Sequence, residues 1–309
     1  MGKMSYIIVT YNGENHIKRC IDDIRNFDKE GFVLLIDNAS SDNTIKEAKK
    51  SQPSKIIELS ENLGFGKANN IGLKYLYNKG FDHYFLVNQD LYFTSGNYKN
   101  FIGIVEKCLN RDYAIISPLH LAPDTKDFDF KFKSYISAKN TPSLLSDLEN
   151  DNFKEIYESK VVNAAAWILS RKTIEKIGYF DPFFDHYGED TDYIKRIKYW
   201  NLKIGISPLF KAIHNRPQSE SHVPQKIKKS TKIWALSYLK DINHSFLDKL
   251  TKFPVYLYHR IKRNDDKWNL YFSILFNVFA NLPLIIKSRK RSKQKMAFAN
   301  VITYYEQNS

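Results

Sequence analysis

Over the first 120 residues, short β-rich apolar runs alternate with stretches in which apolar residues recur at helical spacing. The runs fall at 5–10, 32–37, 55–59 and 83–88, and the helical stretches at 14–27, 42–51 and 66–78. Such alternation predicts βαβ units on a mostly parallel sheet. Thr10, Asp37 and Asp90 stand at the carboxyl ends of their runs, the edge at which an open parallel sheet binds ligands.

Periodicity is lost over 118–160, where Pro118, Pro123 and Pro142 mix with Asp, Lys and Ser. This segment is expected to be a variable insertion or mobile loop carrying acceptor contacts. A strand is expected over 161–170, a short helix over 171–177 ended by Gly178, a helix over 190–200, and two short strands over 203–206 and 210–214. From 225 onward the pattern is helical, with three helices broken near 252–254 and 263–266. In the last of these, Asn269, Ser273, Asn277 and Asn281 recur every fourth residue through an apolar stretch over 268–286. They leave a narrow polar stripe on an apolar helix. Those residues and Pro283 make a poor membrane span.

Composition refines this division. The chain of 309 residues is 43% hydrophobic and 15% aromatic, enough for one large α/β domain with an appendage and too apolar for disorder. Cys20 and Cys108 are the only cysteines, which excludes a disulfide framework and favours a reducing compartment. The first strand pattern begins within five residues of the start, so no secretory signal is expected. Gly2 does not fit a myristoylation pattern, because Tyr6 stands where Ser or Thr is required. The net charge of +13 is concentrated: residues 225–309 hold 17 Lys and Arg against 5 Asp and Glu, leaving 30 basic and 29 acidic residues elsewhere. The division is therefore a near-neutral domain at 1–224 and a basic, aromatic-rich helical extension at 225–309. Lys287, Arg289, Lys290, Arg291, Lys293 and Lys295 follow the apolar stretch, which suits a helix docked on an anionic membrane surface; a core helix with a solvated basic tail suits it equally. No zinc ligands, recognition motif or basic stripe on the main domain accompany the tail, so nucleic acid is not an expected partner.

Candidate chemistry lies in ordered clusters. Val9-Thr10-Tyr11-Asn12 ends the first strand, and Asp37-Asn38-Ala39-Ser40-Ser41-Asp42-Asn43-Thr44 follows the second. In Asn62-Leu63-Gly64-Phe65-Gly66-Lys67-Ala68-Asn69-Asn70, two glycines before a helix allow close backbone approach to a phosphate. A dinucleotide fingerprint is a weak rival there, since Asn69 replaces its third glycine. Asn88-Gln89-Asp90 offers a strand-end carboxylate, a hard ligand for a divalent cation. Tyr187-Gly188-Glu189-Asp190-Thr191-Asp192 offers acids at a helix start, fit for a general base or simply for helix capping.

Together with Phe180-Asp181-Pro182, this ordered set resembles family 2 glycosyltransferases over residues 4–215, and in particular the bacterial branch of rhamnosyltransferases and galactofuranosyltransferases. The resemblance implies a GT-A fold, inverting chemistry, a UDP- or dTDP-sugar donor, and Mg2+ or Mn2+. It places Thr10, Tyr11 and Asn12 in the nucleotide pocket, Asp37 at the base, and Asn62, Gly64 and Asn69 beside the donor. Asn88 and Asp90 fall on the Asp-X-Asp motif, with Asp90 as metal ligand; Asn88 departs from the pattern by removing one acid. Asp190 matches the catalytic base, with Glu189 as the alternative, and His214 matches a histidine that joins the metal in some members. Trp167 and Asp192 are the acceptor candidates; a core tryptophan is the alternative for Trp167. The implied enzyme adds a sugar to a glycan or lipid-linked glycan in cell-surface polysaccharide synthesis, in the cytoplasm or peripherally on the inner membrane face. The competing expectation is a GT-A-like adaptor without catalysis, binding a membrane or nucleic acid through its tail.

Overall fold

The computed structural model describes residues 4–94, 98–218, 224–263 and 266–301. The reading of Gly2 and residues 264–265 of the expected helix break lie outside them. The chain begins β1 (Met4–Thr10), α1 (Ile17–Phe27), β2 (Phe32–Asp37), α2 (Thr44–Lys50), β3 (Lys55–Glu58), α3 (Phe65–Asn78) and β4 (His83–Asn88). These match the expected alternation, β2 and β4 to the residue. There follow β5 (Leu91–Phe93), α4 (Tyr98–Leu109), β6 (Tyr113–Leu121), α5 (Phe132–Tyr135), α6 (Leu144–Glu149), β7 (Tyr157–Ser159), β8 (Ala166–Ser170), α7 (Arg171–Ile177), α8 (Glu189–Tyr199) and β9 (Lys203–His214). The strands form one sheet in the order β3-β2-β1-β4-β8-β6-β9-β5, with β7 paired to β9. Its first four strands are mutually parallel, whereas β8 runs antiparallel to β4, and β5 and β7 antiparallel to β9.

Both faces of this sheet are covered, which is why its early strands read as continuous apolar runs. Leu34, Ile36, Leu86, Trp167, Phe180 and Tyr193 fill one face, and Tyr6, Ile8, Phe85, Phe101 and Phe210 the other. Two expectations are corrected. The segment 118–160 is not an aperiodic loop: it completes β6 and holds α5, α6 and β7. The two short strands at 203–206 and 210–214 are one strand, whose pairing jumps from Ser207↔Pro118 to Lys211↔Leu119. Residues 208–210 bulge at that step and interrupt the alternation from which strands are read.

The extension consists of α9 (Pro224–Lys240), α10 (Phe246–Ile261), α11 (Lys267–Ala280) and α12 (Leu282–Ser292). The expected break at 252–254 is absent: Pro254 lies inside α10, where Phe253, Leu257 and Ile261 are buried. The stretch over 268–286 is instead divided at Asn281, with a 61° bend and Pro283 in the first turn of α12. Among the described residues no single helix is long and apolar enough to cross a membrane, although this bent pair passes by length and composition. The helices have a core of their own, and they dock on the sheet domain through buried charge. Lys240 reaches both Asp181 and, at 3.0 Å, Asp192, and Ser288 also binds Asp181.

Candidate active site

Strand register assembles the site. Thr10 lies opposite Asp37, and Val9 opposite Asn88, so the three motifs meet at one carboxyl edge. Residues 89 and 90 turn the chain into β5, and the pairing Leu91↔His214 brings Asp90 beside the end of β9. Gln89 fastens this turn to β1: its Oε1 accepts from the Thr10 hydroxyl at 2.6 Å and from the Tyr11 amide at 2.9 Å. Thr10 is fully buried and spends its hydroxyl there, so it shapes the pocket floor, while Tyr11 (47% exposed) and Asn12 remain on the surface.

Asp90 Oδ1 stands 3.5 Å from His214 Nε2. Burial opposes ionisation of Asp90, but neighbouring His214 outweighs it and holds the carboxyl below its usual range. Behind His214 lies Asp129, 3.9 Å from Nδ1, and Arg216 grips Asp129 through two bonds of 2.8 and 2.6 Å. Burial works against the charge of Asp129 as well, yet the Arg216 pair pulls its pKa down to about 2. His120, buried alongside, is pushed down to about 3 by burial and by His214, and is therefore neutral. A carboxylate oxygen and an imidazole nitrogen 3.5 Å apart are too far for a good hydrogen bond. They suit neighbouring positions around a small divalent cation, whose cis ligands lie about 3 Å apart. Among the described residues no group of three or more His, Cys, Asp or Glu side chains could hold a metal. Asp90 and His214 would be two protein ligands of such a cation. Asn88, half-buried, adds no charge.

The loops that follow β1, β2 and β3 are tied together by short polar bonds. Asp37 accepts from the Ser40 amide at 3.0 Å and from its hydroxyl, and the Ser40 hydroxyl accepts from the Asn12 amide at 3.0 Å. Asn38 donates to Asn62 Oδ1, which also accepts from the Gly64 amide. Gly64, at φ 80°, precedes α3, and a Cβ there would lie 2.0 Å from the carbonyl oxygen of Asp185. Only glycine allows this approach. Asn69 is buried and binds the Phe65 carbonyl, so it braces the first turn of α3 from within.

Asp185 leads directly to the acidic start of α8. Glu189 is buried against Gly66, its Oε2 has no partner, and burial followed by repulsion from Asp190 raises its pKa to about 7. Asp190 is partly accessible; one oxygen accepts from the Thr191 amide at 2.6 Å, and burial raises its pKa. Lys131 and Tyr135, from the segment read as a loop, lie within electrostatic reach of Asp190, and Tyr135 also senses Arg216 and Asp129. Through Tyr135, Asp190 shares its electrostatic surroundings with Asp129, which lies 3.9 Å from His214. Of Gln89, Asp129, Lys131, Tyr135 and Arg216, only Gln89 lies within one of the sequence clusters.

Both acceptor candidates are corrected. Trp167 is 0% exposed and stacks on Phe180 with centroids 6.0 Å apart, so no sugar reaches its ring. Asp192 is buried between Arg196 and Lys240, each at 3.0 Å, and holds the extension in place.

The mostly parallel mixed sheet with C-terminal helices is a GT-A fold. The model described as "Glycosyl transferase family 2" matches residues 5–156, just under half of the chain. It is 24% identical, over 71% of its length, to the low-salt glycan biosynthesis hexosyltransferase of Haloferax volcanii, of which it covers 69%. To the rhamnosyltransferase WbbL of Escherichia coli it is 26% identical over 68% of its length, covering 83% of that protein. Among solved structures, the mannosyltransferase of Pyrobaculum calidifontis in complex with GDP-Man and Mn2+ is similar in fold, with a TM-score of 0.57 and 14% identity, over 99% of this chain and 85% of that one.

Proposed function

We propose that this glycosyltransferase moves a sugar, with inversion, from a UDP- or dTDP-sugar to a hydroxyl of a glycan or lipid-linked glycan in cell-surface polysaccharide synthesis, on the cytoplasmic side. The observations that support this reading are the Asp90–His214 pair, 3.5 Å apart at the strand edge, and the acidic start of α8 at Glu189 and Asp190. Asp190 takes the proton of the acceptor hydroxyl as that oxygen attacks the anomeric carbon from the face opposite the diphosphate. Its raised pKa makes it a stronger base than an exposed carboxylate. Tyr11 and Asn12 border the nucleotide, and the Asp37-Ser40 and Asn38-Asn62 bonds fix the loops around it. Asp90 and His214 would hold Mg2+ or Mn2+, which when bound neutralises the departing diphosphate.

The test is nucleotide release from a panel of UDP-, dTDP- and GDP-sugars with an acceptor present. Asp190→Asn is expected to lower transfer by about 10²–10⁴-fold while leaving the thermal shift produced by nucleotide intact. Unchanged transfer in that variant removes Asp190 as base, and release only from a GDP-sugar removes the donor assignment.

A further inference from the structure

The segment 181–188 that leads into α8 has a second side. With α9 and α12 it encloses a cleft of about 640 Å3. Lys229 and Lys232 reach into it from α9, and Lys287 and Arg291 from α12. Among the described residues none of the four is ion-paired with a carboxylate, because both acids in the wall are already neutralised. Asp181 is held by Lys240 and Ser288, and Asp185 by Lys67 at 2.7 Å. Four cations converging without a counter-charge repel one another, and an anion bound among them relieves that repulsion.

The cleft also has an apolar rim. Leu284 lines it and lies more than half exposed, and α11, which leads into α12, carries a row of Trp268, Phe272, Phe276 and Phe279. Each of these aromatics is more than half exposed, Phe276 reaching 77%. An aromatic row at this exposure is a contact surface, and its position beside uncompensated cations matches the two-part chemistry of a bilayer interface.

We infer that the cleft binds a phosphate-bearing amphiphile presented from a lipid bilayer. Its phosphate lies among Lys232, Lys287 and Arg291, and its chain runs along Leu284 and the α11 row. Gly188 joins the cleft to the active site: it precedes Glu189, and a Cβ on it would lie 3.0 Å from Ile233 of α9. A molecule held in the cleft is thus one loop from Asp190. That the occupant is the acceptor rests on the proposed function; that the cleft binds it does not.

The experiment measures binding of a soluble short-chain prenyl diphosphate to the full-length protein by calorimetry, in chelator so that no metal holds it at the donor site. Tighter binding than inorganic pyrophosphate is expected, with a loss of about tenfold or more in K287E/R291E. Nucleotide thermal shifts with Mn2+ check that this variant keeps its fold and donor site. Vesicles containing phosphatidylglycerol form the second arm: Phe272→Ser with Phe276→Ser is expected to abolish flotation and spare pyrophosphate binding. Equal prenyl diphosphate affinity in wild type and K287E/R291E overturns the proposal, as does vesicle flotation without any binding of the soluble diphosphate. Asp190→Asn is expected to bind like wild type, so a failure of the catalytic reading leaves this result standing.

Discussion

At the carboxyl edge of the sheet, polar groups are satisfied by near neighbours in sequence or by strand register: Ser40 on Asp37, Asn62 on Gly64, Gln89 on Thr10. In the C-terminal helices the corresponding bonds come from far along the chain. The carbonyls of Leu239, Asp241 and His244, where α9 ends and the chain turns, are all taken by the guanidinium of Arg289 in α12. The first region carries its instructions in motifs, whereas the second is held by partners that no local window contains.

Separate substitutions should therefore break activity and stability separately. The largest effect is expected from Asp90→Ala, which should lower transfer by about 10³-fold or more with little change in unfolding temperature. Metal-dependent nucleotide binding and steady-state transfer check it together. Next, Lys240→Met leaves Asp181 without its buried counter-charge and is expected to cost about 3–5 kcal/mol in chemical denaturation. A cost below about 1 kcal/mol would mean that the extension is not tied to the sheet domain by this charge.

A pH experiment sharpens the contrast at the junction. Glu189 has its pKa raised from 4.5 to about 7, so the folded state binds its proton more tightly than the unfolded state does. Its neutral form suits the burial, and stability is lost as pH rises from about 4.5 to about 7 and the folded carboxyl must ionise. Glu189→Gln should therefore match wild type near pH 4.5 and gain on it by about 3 kcal/mol above pH 7. Parallel denaturation curves across that window contradict the assignment. The smallest effect is expected from Phe276→Ser, within about 0.5 kcal/mol of wild type, since its ring already faces water.

Trp167 and Asp192 show where local reading misleads. A tryptophan and an acid near a catalytic motif look available to a sugar, but β8 turns Trp167 onto Phe180, and α8 turns Asp192 toward Arg196 and Lys240. Pro254 misleads in the opposite sense. An interior proline costs a helix about 3 kcal/mol, yet α10 runs through it because Phe253, Leu257 and Ile261 are buried around it. Residues 118–160 conceal Asp129, Lys131 and Tyr135, whose surroundings are short elements with no sustained period.

By itself the sequence determined the βαβ order, the strand edge that gathers Thr10, Asp37 and Asp90, and the basic character of the last quarter. These depend on period and on residues close in the chain, which a one-dimensional pattern records. The tertiary structure alone decided that Asp129 and Arg216 stand behind His214, that Trp167 is core, that Asp192 binds the extension, and that the extension closes a basic cleft beside α8. Each is a contact between distant segments whose energy comes from burial and charge pairing, and those terms exist only once the chain has folded.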